Sequence, residues 1–105
     1  MQKGDQNMTT APRPQVTPLE EGTVFETRQM EATKGVQWPR HKASEESVLV
    51  VIEGSLVVEY ADSQPALSAG DTIVIPPDVW HEIVPKPAFK AIHIMPKGIR
   101  FTFSR

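Results

Sequence analysis

Hydrophobic positions in this chain fall in short runs, interrupted by proline, glycine and charge, with no stretch of helical period. Such a pattern predicts strands and no helix of ordinary length. From Gly22 onward the runs follow closely: "TVFETRQM", then "SVLVVIEGSLVVEY", which reads as two strands about a tight turn at Glu53-Gly54. "PALSAGDTIVIPPDVWHEIV" places a turn at Gly70-Asp71, a strand over Thr72–Ile75, a break at Pro76-Pro77-Asp78 and a further strand. "FKAIHIM" and "IRFTFSR" close the chain as separate strands. Ten prolines and six glycines supply the punctuation. Roughly eight short strands predict an all-β fold, a small sandwich or barrel.

Residues 1–18 differ from the rest. They are polar, carry Pro12, Pro14 and Pro18, and have no apolar period. The expectation is a flexible leader or extended arm over 1–18, followed by one β domain over 19–105.

Strand parity refines the picture. Ser47, Leu49 and Val51 face one way; Val48, Val50 and Ile52 face the other. Both sets are apolar, whereas a strand wetted on one side alternates. The second face is therefore covered, by the arm, by a partner subunit, or by a second layer of the same fold. The same parity sets Trp38 opposite to His41 and Trp80 opposite to His81, which turns both tryptophans outward, to pack under the arm or at a subunit interface, and supports a homodimer more than ligand stacking. Phe101 and Phe103 share one apolar face, core or interface.

Composition excludes several functions. With 105 residues, 23% of them charged, and a net charge of −2, the chain is ordinary for a globular domain and offers no basic track for nucleic acid. Its basic residues are interleaved with acids. It has no cysteine, hence no disulfide and no thiolate chemistry, as fits the cytoplasm. No apolar run is long enough for a membrane span or a signal peptide, and no membrane partner is expected. No glycine-rich phosphate loop precedes a helix, and no G-x-S-x-G elbow occurs.

Two spacings carry more. Gly35, five residues, His41, one residue, Ala43, three residues, Ser47, six residues, Gly54 form the first. Gly70, five residues, Pro76, one residue, Asp78, two residues, His81, three residues, Pro85 form the second. Together they resemble the two motifs of the cupin family, G-x5-H-x-H-x3/4-E-x6-G and G-x5-P-x-G-x2-H-x3-N, over roughly Thr23 to Met95. The resemblance implies a cupin-like jelly-roll barrel of two antiparallel sheets, and a homodimer.

In metal-containing members of that family, motif one supplies two histidines and a glutamate, and motif two a third histidine. Alternate strand residues point the same way, so H-x-H sends two imidazoles into a barrel. Such mixed nitrogen and oxygen sites suit iron, manganese, nickel or zinc. Carried over, the resemblance keeps His41 and His81 but puts Ala43 and Ser47 where the second histidine and the glutamate belong. Asp78 and Pro85 replace the glycine and asparagine of motif two. Two histidines hold a metal poorly, since catalytic sites usually keep three protein ligands. The donor set could be restored by Glu46, turned inward at a bulge, less readily by Glu45, or by His93 if its parity is inward with Ala91 and Met95. The other parity puts Ile92 and Ile94 inside instead.

Apart from the motif spacing, a histidine on a strand is most often simply hydrogen-bonded or half-exposed. The spacing raises His41 and His81 to cavity-lining candidates, with Gln37, Pro39, Ala43, Ser47, Leu49 and Val51 beside them. The leading expectation is a small-molecule-binding barrel with a weakened or absent metal site. His41 and His81 would hydrogen-bond a small polar or anionic ligand, with Ser47, Gln37 and Ala43 lining its site and no cofactor firmly implied. The alternatives are a divalent-metal enzyme, dioxygenase- or isomerase-like, using His41 and His81 with Glu46 or His93, and a structural or regulatory subunit.

Overall fold

A computed structural model describes residues 14–33, 35, 36 and 38–104. The described residues form eight strands and no helix: β1 (Gln15–Glu21), β2 (Phe25–Ala32), β3 (Trp38–Ala43), β4 (Ser47–Glu59), β5 (Ala66–Ser68), β6 (Thr72–Ile75), β7 (His81–Pro96) and β8 (Phe101–Phe103). None of them is a helix long and apolar enough to cross a membrane. All pairings are antiparallel.

The two long strands organise everything else. The first half of β4 lies between β6 and the second half of β7, which continues to β2 and β1. The second half of β4 lies between β5 and the first half of β7, which continues to β3 and β8. One antiparallel sheet is thus curled into two layers, with β4 and β7 running through both, which is a jelly-roll barrel. The core between the layers includes Leu49, Val51, Leu56 and Val58 of β4, Ile83, Phe89 and Ala91 of β7, and Met30, Leu67 and Ile75. Ser47, Leu49 and Val51 all face inward, as their parity predicts.

Two expected breaks are not breaks. Glu53-Gly54 is no hairpin turn; β4 runs through it with a change of register on either side. Between Gly54 opposite Phe89 and Leu56 opposite Pro85, two steps on β4 face four on β7, so residues 86–88 bow out and the sheet turns its corner there. For the same reason the runs at His81 and Phe89 belong to one strand rather than two. Gly54 has φ +73°, and a Cβ there would collide with the Ala88 carbonyl. The glycine is required by close backbone approach as well as by its dihedral.

The edges bear on the expected leader. β1 starts at Gln15, so residues 15–18 are strand-paired to β2, while 1–13 lie outside the described residues. Since β1 packs beside β2, it does not lie over the outer face of β4. On that outer face Val48 and Val50 are half-buried, Ile52 is exposed, and Val48 stands between Ile94 and an exposed Val74.

Replacing Gly54 with alanine should destabilise the chain by at least about 2 kcal/mol, since strain at a special dihedral adds to a steric clash. Urea unfolding checks this; an unchanged midpoint would contradict the reading of the corner.

Candidate functional site

The space inside the barrel is about 160 Å³. That leaves room for a small molecule. All three histidines of the chain line it. β3 contributes Trp38, His41 and Ala43; β4 contributes Ser47 and Leu49; β7 contributes His81, Ile83 and His93. Arg28 and Met30 come from β2, Ile75 from β6, and Phe101 and Phe103 from β8.

His41 and His81 are direct cross-strand partners, both buried, with ring centroids 4.3 Å apart. Each is fixed in the same way. His41 Nδ1–H donates to the Pro39 carbonyl at 2.7 Å, and His81 Nδ1–H donates to the Val79 carbonyl at 2.9 Å. A carbonyl only accepts, so the proton of each neutral ring sits on Nδ1 and Nε2 keeps its lone pair. Burial lowers the pKa of both rings against the raising effect of those carbonyl bonds, and at His81 the neighbouring His41 lowers it further. The two rings are therefore hydrogen-bond acceptors at neutral pH.

The local backbone explains the geometry. Between Trp38 opposite Ile83 and His41 opposite His81, β3 takes three steps to two on β7. This bulge changes the parity, so Trp38 and His41 both turn inward, while Pro39 and Arg40 are exposed. The expectation that Trp38 points outward is thereby corrected: it lines the cavity and packs against Phe89 at a ring separation of 5.7 Å. Trp80 carries the Arg40 guanidinium and the Lys42 ammonium each 5.0 Å from its ring centre, and is not among the lining residues. On the second histidine's approach, Asp78 adopts φ +59° where the family motif has glycine, and its N–H donates to the Ala43 carbonyl at 2.8 Å. Aspartate is one of the few residues that tolerates this region, so the turn survives the exchange.

His93 takes the inward parity, with Ala91 and Met95 buried on the same side. Its Nε2 is 2.8 Å from Ser47 Oγ. Burial first, then the Arg28 charge, then His41 and His81, lower its pKa to about 4. Ser47 thus occupies the expected glutamate position and engages the third imidazole. Glu45 and Glu46 are exposed on the turn between β3 and β4 and do not reach the cavity. The inward bulge that Glu46 would need is absent, because β4 pairs regularly with β6 from Ser47 onward. Pro39 is likewise exposed, and Val51 is core rather than lining. Gln37 lies outside the described residues.

The residues present do not fit the metal group of the family's metal-containing members. Ala43 has no side-chain donor atom, no carboxylate of the described residues lines the cavity, and His93 Nε2 is engaged by Ser47. Among the described residues, no three histidine, cysteine, aspartate or glutamate side chains converge to hold an ion.

Parity reasoning missed Trp38 and Arg28. For Arg28 a signal exists: Met30 and Ala32 are buried, and a period of two carried back from them reaches Arg28.

Because the folded chain binds protons on these histidines less tightly than the unfolded chain does, stability is full above about pH 6.5 and falls as pH drops toward 4. For His93 alone the loss is up to about 3 kcal/mol. Urea midpoints measured from pH 7 to pH 4 should fall steeply in the wild type and less in His93→Gln; parallel pH profiles would contradict the assignment.

Comparison with known proteins adds the family. The sequence pattern described as "Cupin domain" matches residues 27–86. No curated protein sequence matches the chain. Among solved structures, a cupin-2 domain protein from Shewanella frigidimarina aligns at 24% identity and TM-score 0.70, covering 86% of this chain and 85% of its own. A cupin 2 domain-containing protein from Halorhodospira halophila aligns at 22% identity and TM-score 0.79, covering 88% and 70%. A putative ethanolamine utilization protein from Salmonella typhimurium aligns at 19% identity and TM-score 0.68, covering 77% and 67%. At these identities the structural likenesses speak for the fold alone; with a family match over more than half its length, the chain belongs to the cupin family.

Proposed function

We propose that the barrel binds a small organic molecule, and that His41 and His81 hold it by hydrogen bonds rather than through a metal. One observation carries this reading: both imidazoles commit Nδ1–H to a backbone carbonyl, which leaves two neighbouring Nε2 acceptors at a cavity otherwise walled largely by apolar side chains. A ligand with an apolar body and a hydroxyl or amine donor matches that lining. Saturation-transfer NMR with small alcohols and amides should detect binding to the wild type. His41→Leu and His81→Leu keep apolar bulk but delete an acceptor, and should weaken binding at least about tenfold, as for a lost buried hydrogen bond. Unchanged binding in both variants would overturn the reading.

The alternative reading, a metalloenzyme built on His41 and His81, needs a further donor that the described lining does not supply. Elemental analysis of chelator-free protein separates the two. The hydrogen-bonding reading expects far less than one transition metal per chain. A near-stoichiometric metal that is lost in His81→Ala would support the second.

A homodimer belongs to the proposal as well. The exposed Val74 and Ile52, with half-buried Val48 and Val50, form an apolar strip on the outer sheet face that a second copy would cover. Light scattering should give twice the chain mass, reduced to one by the double substitution Val50→Glu, Val74→Glu; a monomeric wild type would contradict it.

A further inference from the structure

We propose that Arg28 makes the cavity an organic-anion site: the ligand is a small carboxylate with an apolar body, whose head meets the Arg28 guanidinium and whose hydroxyl donates to His41 or His81. The inference rests on the small-molecule reading above and names the ligand class.

Arg28 lies on β2 directly opposite His93 on β7, and its side chain reaches the cavity lining. One guanidinium nitrogen is held by Glu26 at 2.9 Å. Glu26 precedes it by two residues on the same strand, so both side chains leave the same face. Glu26 itself does not line the cavity. The bridge therefore orients the guanidinium from outside the site, through one of its nitrogens. A guanidinium presents five N–H donors in a planar fork, so one carboxylate contact leaves donors for a second.

Charge in the lining is one-sided. Among the described residues its polar side chains are Arg28, the three histidines and Ser47, with no aspartate or glutamate. Burial keeps the imidazoles neutral, which leaves Arg28 as the fixed charge of the lining. A cation would meet that charge without any compensating carboxylate in the cavity. A neutral ligand would leave the guanidinium donors that Glu26 does not hold without a charged partner in the cavity. A carboxylate completes it with charge-assisted bonds. The rest of the wall, with Trp38, Met30, Leu49 and Ile83, selects the apolar body, and the volume near 160 Å³ keeps it small.

The two polar arms also differ in sense. Arg28 only donates, whereas Nε2 of His41 and of His81 only accepts. A hydroxy carboxylate satisfies both; a dicarboxylate or a diamine satisfies one and opposes the other.

The test uses the full chain and two probes, 2-hydroxy-4-methylpentanoate and its neutral amide, with affinities from isothermal titration at pH 7.5. The wild type should bind the acid at least about tenfold more tightly than the amide, as a charge-assisted bond to a partly buried guanidinium implies. In Arg28→Gln the acid should lose that advantage while amide binding persists, with the melting temperature reporting that the variant is folded. Glu26→Gln keeps an acceptor that can orient the guanidinium but removes the charge that partly neutralises it, and should strengthen acid binding several-fold, an effect of opposite sign that a merely structural role of Arg28 does not produce. If the amide binds and the acid has no advantage in the wild type, or keeps its advantage in Arg28→Gln, the anion assignment is overturned and the small-molecule reading stands. If neither probe binds the wild type, and small alcohols do not bind either, both fall together.

Discussion

Backbone pairing between β4 and β7 runs from Val48 opposite Ile94 to Glu59 opposite Glu82, and both layers of the barrel hang from it. The ladder cannot stay straight, because each strand must serve two sheets. Register slips around Gly54 and the bowed residues 86–88 turn the corner, with the Ala88 carbonyl so close to Gly54 that no side chain fits. That constraint places His81 on one layer and His93 on the other, both facing one interior. The site is a consequence of how one ladder bends.

Within that interior the chemistry is set by which side chains line it. Ala43 and Ser47 stand where a metal-binding member of the family would place two ligands. Ser47 is not idle: its hydroxyl meets His93 Nε2, which joins the third imidazole to the polar cluster. His41 and His81 keep the orientation that a metal ligand would also need, since a backbone carbonyl fixes the tautomer of each. The arrangement retains directional acceptors at a small apolar cavity without a carboxylate to complete a coordination sphere. Buried acceptors without partners are costly, and the proposed ligand would supply them with a donor.

The all-β class and the positions of most strands were legible in the sequence because short apolar runs with glycine and proline punctuation mark strands; both faces of β4 are apolar, so the inward set Ser47, Leu49 and Val51 follows from the motif spacing that puts Ser47 at a ligand position. The motif spacing located His41 and His81. What stayed hidden depends on departures from regular pairing. The bulge at Pro39-Arg40 reverses the facing of Trp38, and nothing in composition marks it. His93 was undecided because Ala91 and Met95 on one parity, and Ile92 and Ile94 on the other, are equally apolar. Arg28 escaped notice because a charged residue on an inward strand face reads as solvent-facing until its neighbours Met30 and Ala32 are known to be buried. The Gly54 corner looked like a hairpin turn because a glycine in the left-handed region serves turns and bulges alike.

The functional reading rests on His41 and His81 facing the cavity as neutral acceptors, with Nδ1 protonated and Nε2 bare. Long-range nitrogen–proton correlation NMR on uniformly 15N-labelled, metal-free protein at pH 7 measures this directly. Both rings should be Nδ1–H tautomers, with unprotonated Nε2 and no imidazolium. Protonated Nε2 on either ring, or a charged ring at that pH, would contradict it.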